Sequence, residues 1–383
     1  MAGSPRIFLA VDNCFAYKRW TEPSEWVSII RDLGVQCIEA SADTDADPLY
    51  SGPQHMAAWR RAVKAASSAH GPRVVNIYSG HGTYSTLGLG HPDKRVRDVM
   101  QRKWIEPMVD AAADLGAGLG FFCHAFPQAT LESPERFAEA RDRLCTSLAE
   151  IAACGARKNL RSVGVEQMYS PHQVPWTIAG ARDLLQEVWR RGRAPFYLTV
   201  DTGHAGGQRK FLPPSRAALD TALEGKPAHA PYDLWLGSAE AYAAFERGSL
   251  DEVAVEVERH PYLFSAPADA DPYEWLSHLG CYSPIIHLQQ VTGSSSAHEP
   301  FTPELNAAGS IHAQKVLHAI QRSYAAPDDP ALPPRCDTIY LTLEVFAGAT
   351  ALPRQLLHQI RQSAEYWRGA IPRDGMRLEA LCR

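Results

Sequence analysis

Eight times along the chain, a short apolar run rich in β-branched and aromatic residues is followed by a stretch of helical periodicity. That alternation restricts the fold more than any other feature. The strand-like runs cover 6–13, 35–41, 73–80, 117–126, 162–168, 195–204, 283–291 and 337–346. Their bodies are apolar on both faces, as in parallel strands buried on both sides. Between them lie amphipathic stretches such as "SEWVSIIRDLG" and "SPERFAEARDRLCTSLAEIAACG". The latter opens with a serine cap and an acidic first turn. Eight strand-helix pairs in unbroken order predict an α/β chain folded as a (β/α)8 TIM barrel, with a doubly wound open sheet as the alternative. The 383 residues then form a single domain, 1–383. Residues 206–270, between the sixth and seventh strands, exceed a normal crossover. They are expected to be an insertion over the active face, a lid or an interface, with a plain surface loop as the alternative.

In such a barrel the chemistry sits where strands end and βα loops begin. The strand ends supply Asp12 and Asn13, Glu39, Tyr78 and His81, His124, Glu166 and Gln167, Asp201 and His204, His287 and Gln289, and Glu344. Glu166, Asp201, His287 and Glu344 come from strands five to eight, one from each. Together they can surround a single divalent cation. Three carboxylates and one imidazole favour Mn2+, with Mg2+, Co2+, Fe2+ or Zn2+ compatible with the same donors. Without a cation the three carboxylates repel and at least one pKa rises. The competing expectation is that each residue caps a helix or pairs with a nearby Lys or Arg.

The motifs "GVEQM" with Glu166, "VDTGH" with Asp201 and His204, "IIHLQQ" with His287 and "LTLEVF" with Glu344 occur in strand order. On these the chain resembles the xylose-isomerase-like TIM-barrel superfamily of sugar isomerases, ketose 3-epimerases and type-IV apurinic endonucleases. The resemblance covers roughly 6–370 without the insertion. It implies one catalytic divalent metal on Glu166, Asp201, His287 and Glu344, with the two glutamates as acid and base. By the same analogy His204 touches a substrate oxygen. There is a departure after the strand-seven histidine, where epimerases of the group often carry an acidic residue and then an arginine. Here the run is "HLQQVTGSSS", without arginine, and Gln289 is left to contact substrate or supply a carbonyl oxygen. The endonuclease branch binds three zincs. His81, His124 and His204 suit some of the extra ligands, but the Asp-x-His pair is missing and "SSSAHEPFTP" offers only His298 and Glu299.

The expected chemistry is a sugar isomerase or epimerase. The metal polarises a carbonyl and stabilises an enediolate, while one glutamate removes the adjacent proton and the other returns one. Isomerisation, epimerisation and a lyase reaction on oxidised sugars or C-glycosides stay open, as does a non-catalytic sugar-binding barrel. His204, His81, His124, Gln289, His172 and Tyr17 are the candidate substrate contacts. Aromatic walls are available from Phe15, Tyr17, Trp20 and Tyr84 and from "YSPHQVPWT". A net charge of -5 gives no basic footprint for nucleic acid. The chain shows no signal-peptide pattern and no membrane-length apolar run, and its eight cysteines are scattered. Buried free thiols and a cytoplasmic location are expected, with a small carbohydrate as partner and a homo-oligomer by analogy with other barrels.

Overall fold

The apolar runs close on one another. The computed structural model describes residues 4–224 and 234–383. Its barrel strands are β1 (Arg6–Asp12), β2 (Cys37–Ser41), β3 (Arg73–Tyr78), β4 (Gly118–Phe121), β5 (Val163–Glu166), β6 (Tyr197–Asp201), β7 (Ile285–Leu288) and β8 (Thr338–Leu343). Each is parallel to its neighbours, and β8 and β2 both flank β1, so the sheet is a closed eight-stranded barrel. A two-residue strand, β9 (Met376–Arg377), pairs antiparallel with the start of β1 at the opposite end from the strand tips.

Most strands end before the strand-like run does, for a local reason. At the end of β6, Asp201 Oδ1 accepts the N–H of Gly203 at 2.6 Å. Asp12 Oδ1 likewise accepts the N–H of Cys14 at 2.6 Å after β1. These turns peel the chain off the ladder and aim the next residues across the barrel mouth.

The outer ring consists of α1 (Pro23–Asp32), α2 (Pro48–His70), α3 (Glu106–Leu115), α4 (Pro134–Arg157), α5 (Ile178–Gly192), α6 (Pro272–Leu279), α7 (Ala313–Ala325) and α8 (Pro353–Ala370). The expected serine cap is Ser133, whose hydroxyl accepts the Arg136 N–H at 3.2 Å ahead of α4. Trp26, Trp104, Trp275 and Trp367 are fully buried; side chains of this size each withdraw roughly 200 Å2 from water. A separate cluster of Ala10, Cys37, Val75, Ile285 and Tyr340, with Phe8 against it, packs together from five strands. All eight cysteines are free thiols, with Cys154 and Cys382 half-buried and the others buried. Among the described residues no helix is long and apolar enough to cross a membrane.

The stretch 206–270 is more than a loop, although 225–233 lie outside the described residues. The helices Arg216–Glu224, Ala239–Glu246 and Leu250–Arg259 share a small core that includes Leu219, Leu236, Phe245 and Val253. Tyr262 stacks on Phe137 in the first turns of α4, with centroids 3.9 Å apart. Asp269 Oδ1 accepts the Ile178 N–H at the start of α5 at 2.7 Å. Helix N-termini and strand C-termini share one face of a parallel barrel, so the insertion is fastened to the face that bears the strand-end residues.

Candidate metal centre

Parallel pairing brings the four strand-end groups to one height. Asp201 is in register with His287, and His287 with Thr342, two residues before Glu344. Inward-pointing side chains alternate along a strand, which turns all four toward the axis. Glu166, Asp201, His287 and Glu344 are 4%, 1%, 0% and 4% exposed, too dry for unpaired carboxylates. One donor atom from each lies within 4.8 Å of the others.

His287 is the hub. Its Nδ1 lies 3.0 Å from Glu166 Oε1 and 3.2 Å from Glu344 Oε2. Its Nε2 is 2.5 Å from Glu39 Oε1, and Glu39 Oε2 accepts the Asn76 amide at 2.6 Å. Burial works against a charged ring here, but Glu344 and Glu39 outweigh it and hold the His287 pKa well above the ordinary value. Burial would likewise raise Glu344, yet His287 and His298 pull it well below the usual carboxylate range. Burial pushes Asp201 up to about 6, against the pull of His204 and with help from Glu344 and Glu166. Gln289 donates to both Asp201 oxygens, at 2.8 and 3.0 Å. The Tyr78 hydroxyl donates to Glu166 Oε2.

This donor set fits a divalent cation. Glu344 Oε2, though close to two imidazoles, is buried without a hydrogen bond. A carboxylate oxygen in that state, among two further carboxylates, is able to serve as a ligand to a cation. If His287 Nδ1 serves as a ligand, Nε2–H donates to Glu39, the carboxylate–histidine arrangement that orients metal-bound imidazoles. Asp12, Glu39 and His287 form a second close group. To hold another cation it would need the second nitrogen of the same ring deprotonated as well, so the four-residue centre is the better fit. Burial first, then Glu39 and Glu344, hold Asp12 well above the carboxylate range, consistent with a protonated neighbour.

A cavity of about 170 Å3 opens on this centre, with Tyr78, Glu166, His204, His298 and Glu344 among its lining and Tyr84, Phe122, Tyr169 and Phe346 as aromatic walls. Of the candidate substrate contacts, His204 is on the wall. Its Nδ1 donates to the Gln167 carbonyl at 2.7 Å, and Nε2 lies 3.7 Å from Asp201 Oδ2. His81 stands at the mouth with Nδ1 2.9 Å from Asp43 Oδ2 and its ring edge-on to Phe346. Gln289 is buried and turned toward a loop, its Oε1 accepting the His298 N–H at 2.7 Å and the Ser296 hydroxyl at 3.0 Å.

The other three candidates lie off the cavity. His124 is fully buried behind Phe122, bonded to the Val174 carbonyl, and burial lowers its pKa to about 4. His172 binds the Phe126 carbonyl at 2.8 Å and ties two loops together. Tyr17 lies under the Lys18 ammonium, 4.8 Å from its ring centroid. Conversely, Tyr78, Tyr169, His298 and Phe346 belong to the cavity although sequence reasoning does not single them out as contacts. Tyr78 had a signal, as the last residue of β3. His298 enters only as a stand-in for the missing Asp-x-His pair and not as a substrate contact, since it arrives on a loop that leaves β7 and folds back.

Residues 27–223, just over half of the chain, match the family described as xylose isomerase-like TIM barrel. Over 355 residues the chain is 23% identical to the D-erythrulose 1-phosphate 3-epimerase of Brucella abortus (strain 2308), with 91% of each chain covered. A Rhodospirillum rubrum ATCC 11170 protein put forward as a xylose isomerase has the same fold, with a TM-score of 0.68 at 19% identity over 95% of this chain and 99% of that one. So does a D-allulose 3-epimerase from Methylomonas sp., with a TM-score of 0.57 at 12% identity over 97% and 99%. The sequence match and the closed barrel agree: the chain belongs to the xylose isomerase-like TIM-barrel family.

Proposed function

We propose that the protein is a divalent-metal-dependent sugar epimerase or isomerase that moves a proton next to the carbonyl of a ketose or ketose derivative. The observation that carries this reading is the clustering of Glu166, Asp201, His287 and Glu344, with both glutamates also on the cavity wall. These four residues would hold the cation, with Mn2+ favoured by the donor set. When bound, it supplies Lewis-acid polarisation of a carbonyl and offsets the crowded negative charge. Glu166 and Glu344 serve as the proton-transferring pair. The Tyr78 hydroxyl orients Glu166 through Oε2, leaving Oε1 toward His287. His204, with its Nδ1 proton committed to Gln167, presents Nε2 as an acceptor for a substrate hydroxyl. Tyr84, Tyr169, Phe122 and Phe346 exclude water from the reacting face.

The Brucella relative is named for a ketose phosphate. Among the described residues no Lys or Arg lines the cavity itself, but Lys210 lines an adjoining cleft that shares Tyr169, His204 and Ser296 with it. Free and phosphorylated ketoses both belong in the test.

The test combines elemental analysis of the chain, purified without chelator, with solvent-deuterium uptake by D-psicose, L-ribulose and D-erythrulose 1-phosphate. About one metal per chain is expected, lost in Glu344→Gln, with deuterium appearing beside the carbonyl of at least one ketose and not in that variant. A metal-loaded protein that labels none of them counts against the proton-transfer chemistry. Release of a second product would move the reading to a lyase.

A further inference from the structure

Epimerases of the group this chain resembles often carry an acidic residue and then an arginine after the strand-seven histidine, and this chain's run "HLQQVTGSSS" has neither. Its loop from Gln290 to Glu299 folds back instead, with Gln290 N–H bonded to the Glu299 carbonyl at 2.8 Å and the Thr292 hydroxyl on the Glu299 carboxylate at 2.8 Å. The returning chain lays His298 over the outer side of Glu344, with Nδ1 3.4 Å from Oε2 and the ring edge-on to Phe346. Among the described residues five non-glycine residues have a left-handed backbone, and of these only His298, at φ 48°, lines the cavity. A side chain with a Cβ is costly in that conformation, and such outliers gather at functional sites.

Two features show that this placement is held from below. The Gln289 side chain joins the metal centre to the loop, donating to Asp201 while accepting from the backbone of His298 and the hydroxyl of Ser296. The imidazole itself is barely occupied. Its side-chain contacts to Gln289 and Ser296 are long, 3.4 and 3.5 Å, and a quarter of the side chain is exposed to the cavity.

We propose that His298 is the substrate-contacting residue on the Glu344 side, bonding a sugar hydroxyl next to the carbon that Glu344 serves, and that Gln289 is the residue that positions it. This rests on the epimerase or isomerase reading above. With Nδ1 turned to Glu344 Oε2 at 3.4 Å, Nε2 has only the long Ser296 contact and is the ring nitrogen left to bond a sugar hydroxyl.

The variants are His298→Asn, which tolerates a left-handed backbone, and His298→Ala. Each is loaded with Mn2+ and checked for metal content and thermal melting. Each is then titrated calorimetrically with D-psicose, L-ribulose and D-erythrulose 1-phosphate, beside steady-state kinetics. The expected result is wild-type metal content and melting for His298→Asn, with binding of the preferred ketose weakened about ten-fold and kcat/KM reduced by about ten-fold or more in both variants. Partial recovery is expected in His298→Gln, whose longer amide also carries a donor and an acceptor. Wild-type affinity and kcat/KM in His298→Asn would overturn the proposal. If the wild type binds a ketose but exchanges no proton, the catalytic reading fails while the binding arm still decides the role of His298. If it binds none of the ketoses, both fail.

Discussion

Asp201 is the residue whose state depends most on whether a cation is present. Burial raises its pKa from 3.8 to about 6, and nearby Glu344 and Glu166 add to the rise. A carboxyl group raised in this way holds its proton more tightly in the folded, metal-free protein than in the unfolded chain. Its contribution to stability is complete below the unfolded value and is lost as pH climbs through about 6. His287, also raised, acts in the same direction at higher pH. Glu344 is lowered, so its contribution is present above its ordinary 4.5 and is lost only on acidification below that. His124, which burial lowers to about 4, acts the other way, gaining stability as pH rises toward 6.5. Asp12 is raised as Asp201 is, and between about pH 5 and about pH 7 the two raised carboxyl groups prevail. The metal-free protein should melt several degrees lower at the upper end than at the lower. Mn2+ should remove that difference, because the cation takes the place of the proton. Scanning calorimetry with and without chelator checks this. A melting temperature that is flat or rises over the window in chelator would mean that the three carboxylates do not share one dry pocket.

Strands and turns made much of the site legible, and for a physical reason. A barrel strand is apolar for most of its length, so a carboxylate or imidazole at its end is conspicuous, and one strand per group fixes the order. Glu166, Asp201, His287 and Glu344 could be read off in that way. Proximity to a strand end is a weaker guide once the chain has turned. His124, His172 and Tyr17 all lie close after strands, yet their side chains are taken up by the Val174 and Phe126 carbonyls and by Lys18. His298 was hidden for the opposite reason, because a fold-back loop creates a contact that no periodicity encodes. The turn after β6 shows how much one position carries. Gly203 in "VDTGH" sits where an added Cβ would overlap the Gln289 side chain, the same side chain that bonds Asp201 and the His298 loop. Gly203→Ala should therefore push Gln289 off Asp201 and weaken Mn2+ binding roughly 10–100-fold, the usual penalty for losing a partner of a metal ligand. Competition with a fluorescent chelator measures it. Unchanged affinity would show that Gln289 is no support for the metal ligand.

At the scale of the whole molecule, the question is how the insertion belongs to the barrel. We infer one domain across 1–383, with 206–270 as an appendage on the active face. Two of its described helices, Ala239–Glu246 and Leu250–Arg259, rest together with Arg216–Glu224 on a core of seven buried described residues, whereas the barrel core runs continuously through strands and outer helices. Local opening costs least where little apolar surface is buried. The attachment includes Tyr262 on Phe137, Asp269 at the start of α5 and Phe211 against Trp176, and Leu263, with Trp235 and Phe264 beside it, belongs to the barrel core. Among its described residues the first turns, at Gly207, Lys210 and Phe211, reach the cleft beside the cavity. Amide hydrogen exchange should therefore show the two insertion helices exchanging by local opening at rates insensitive to Mn2+. The barrel strands should exchange only with global unfolding and gain protection when the metal binds. Phe211→Ala, which removes a ring packed on Trp176 and Trp235, should speed exchange in the insertion and leave β5 to β8 unchanged. If the insertion helices instead share the barrel's slow, metal-dependent exchange, the region is an integral wall of the site, and its closure belongs to the binding of the cation.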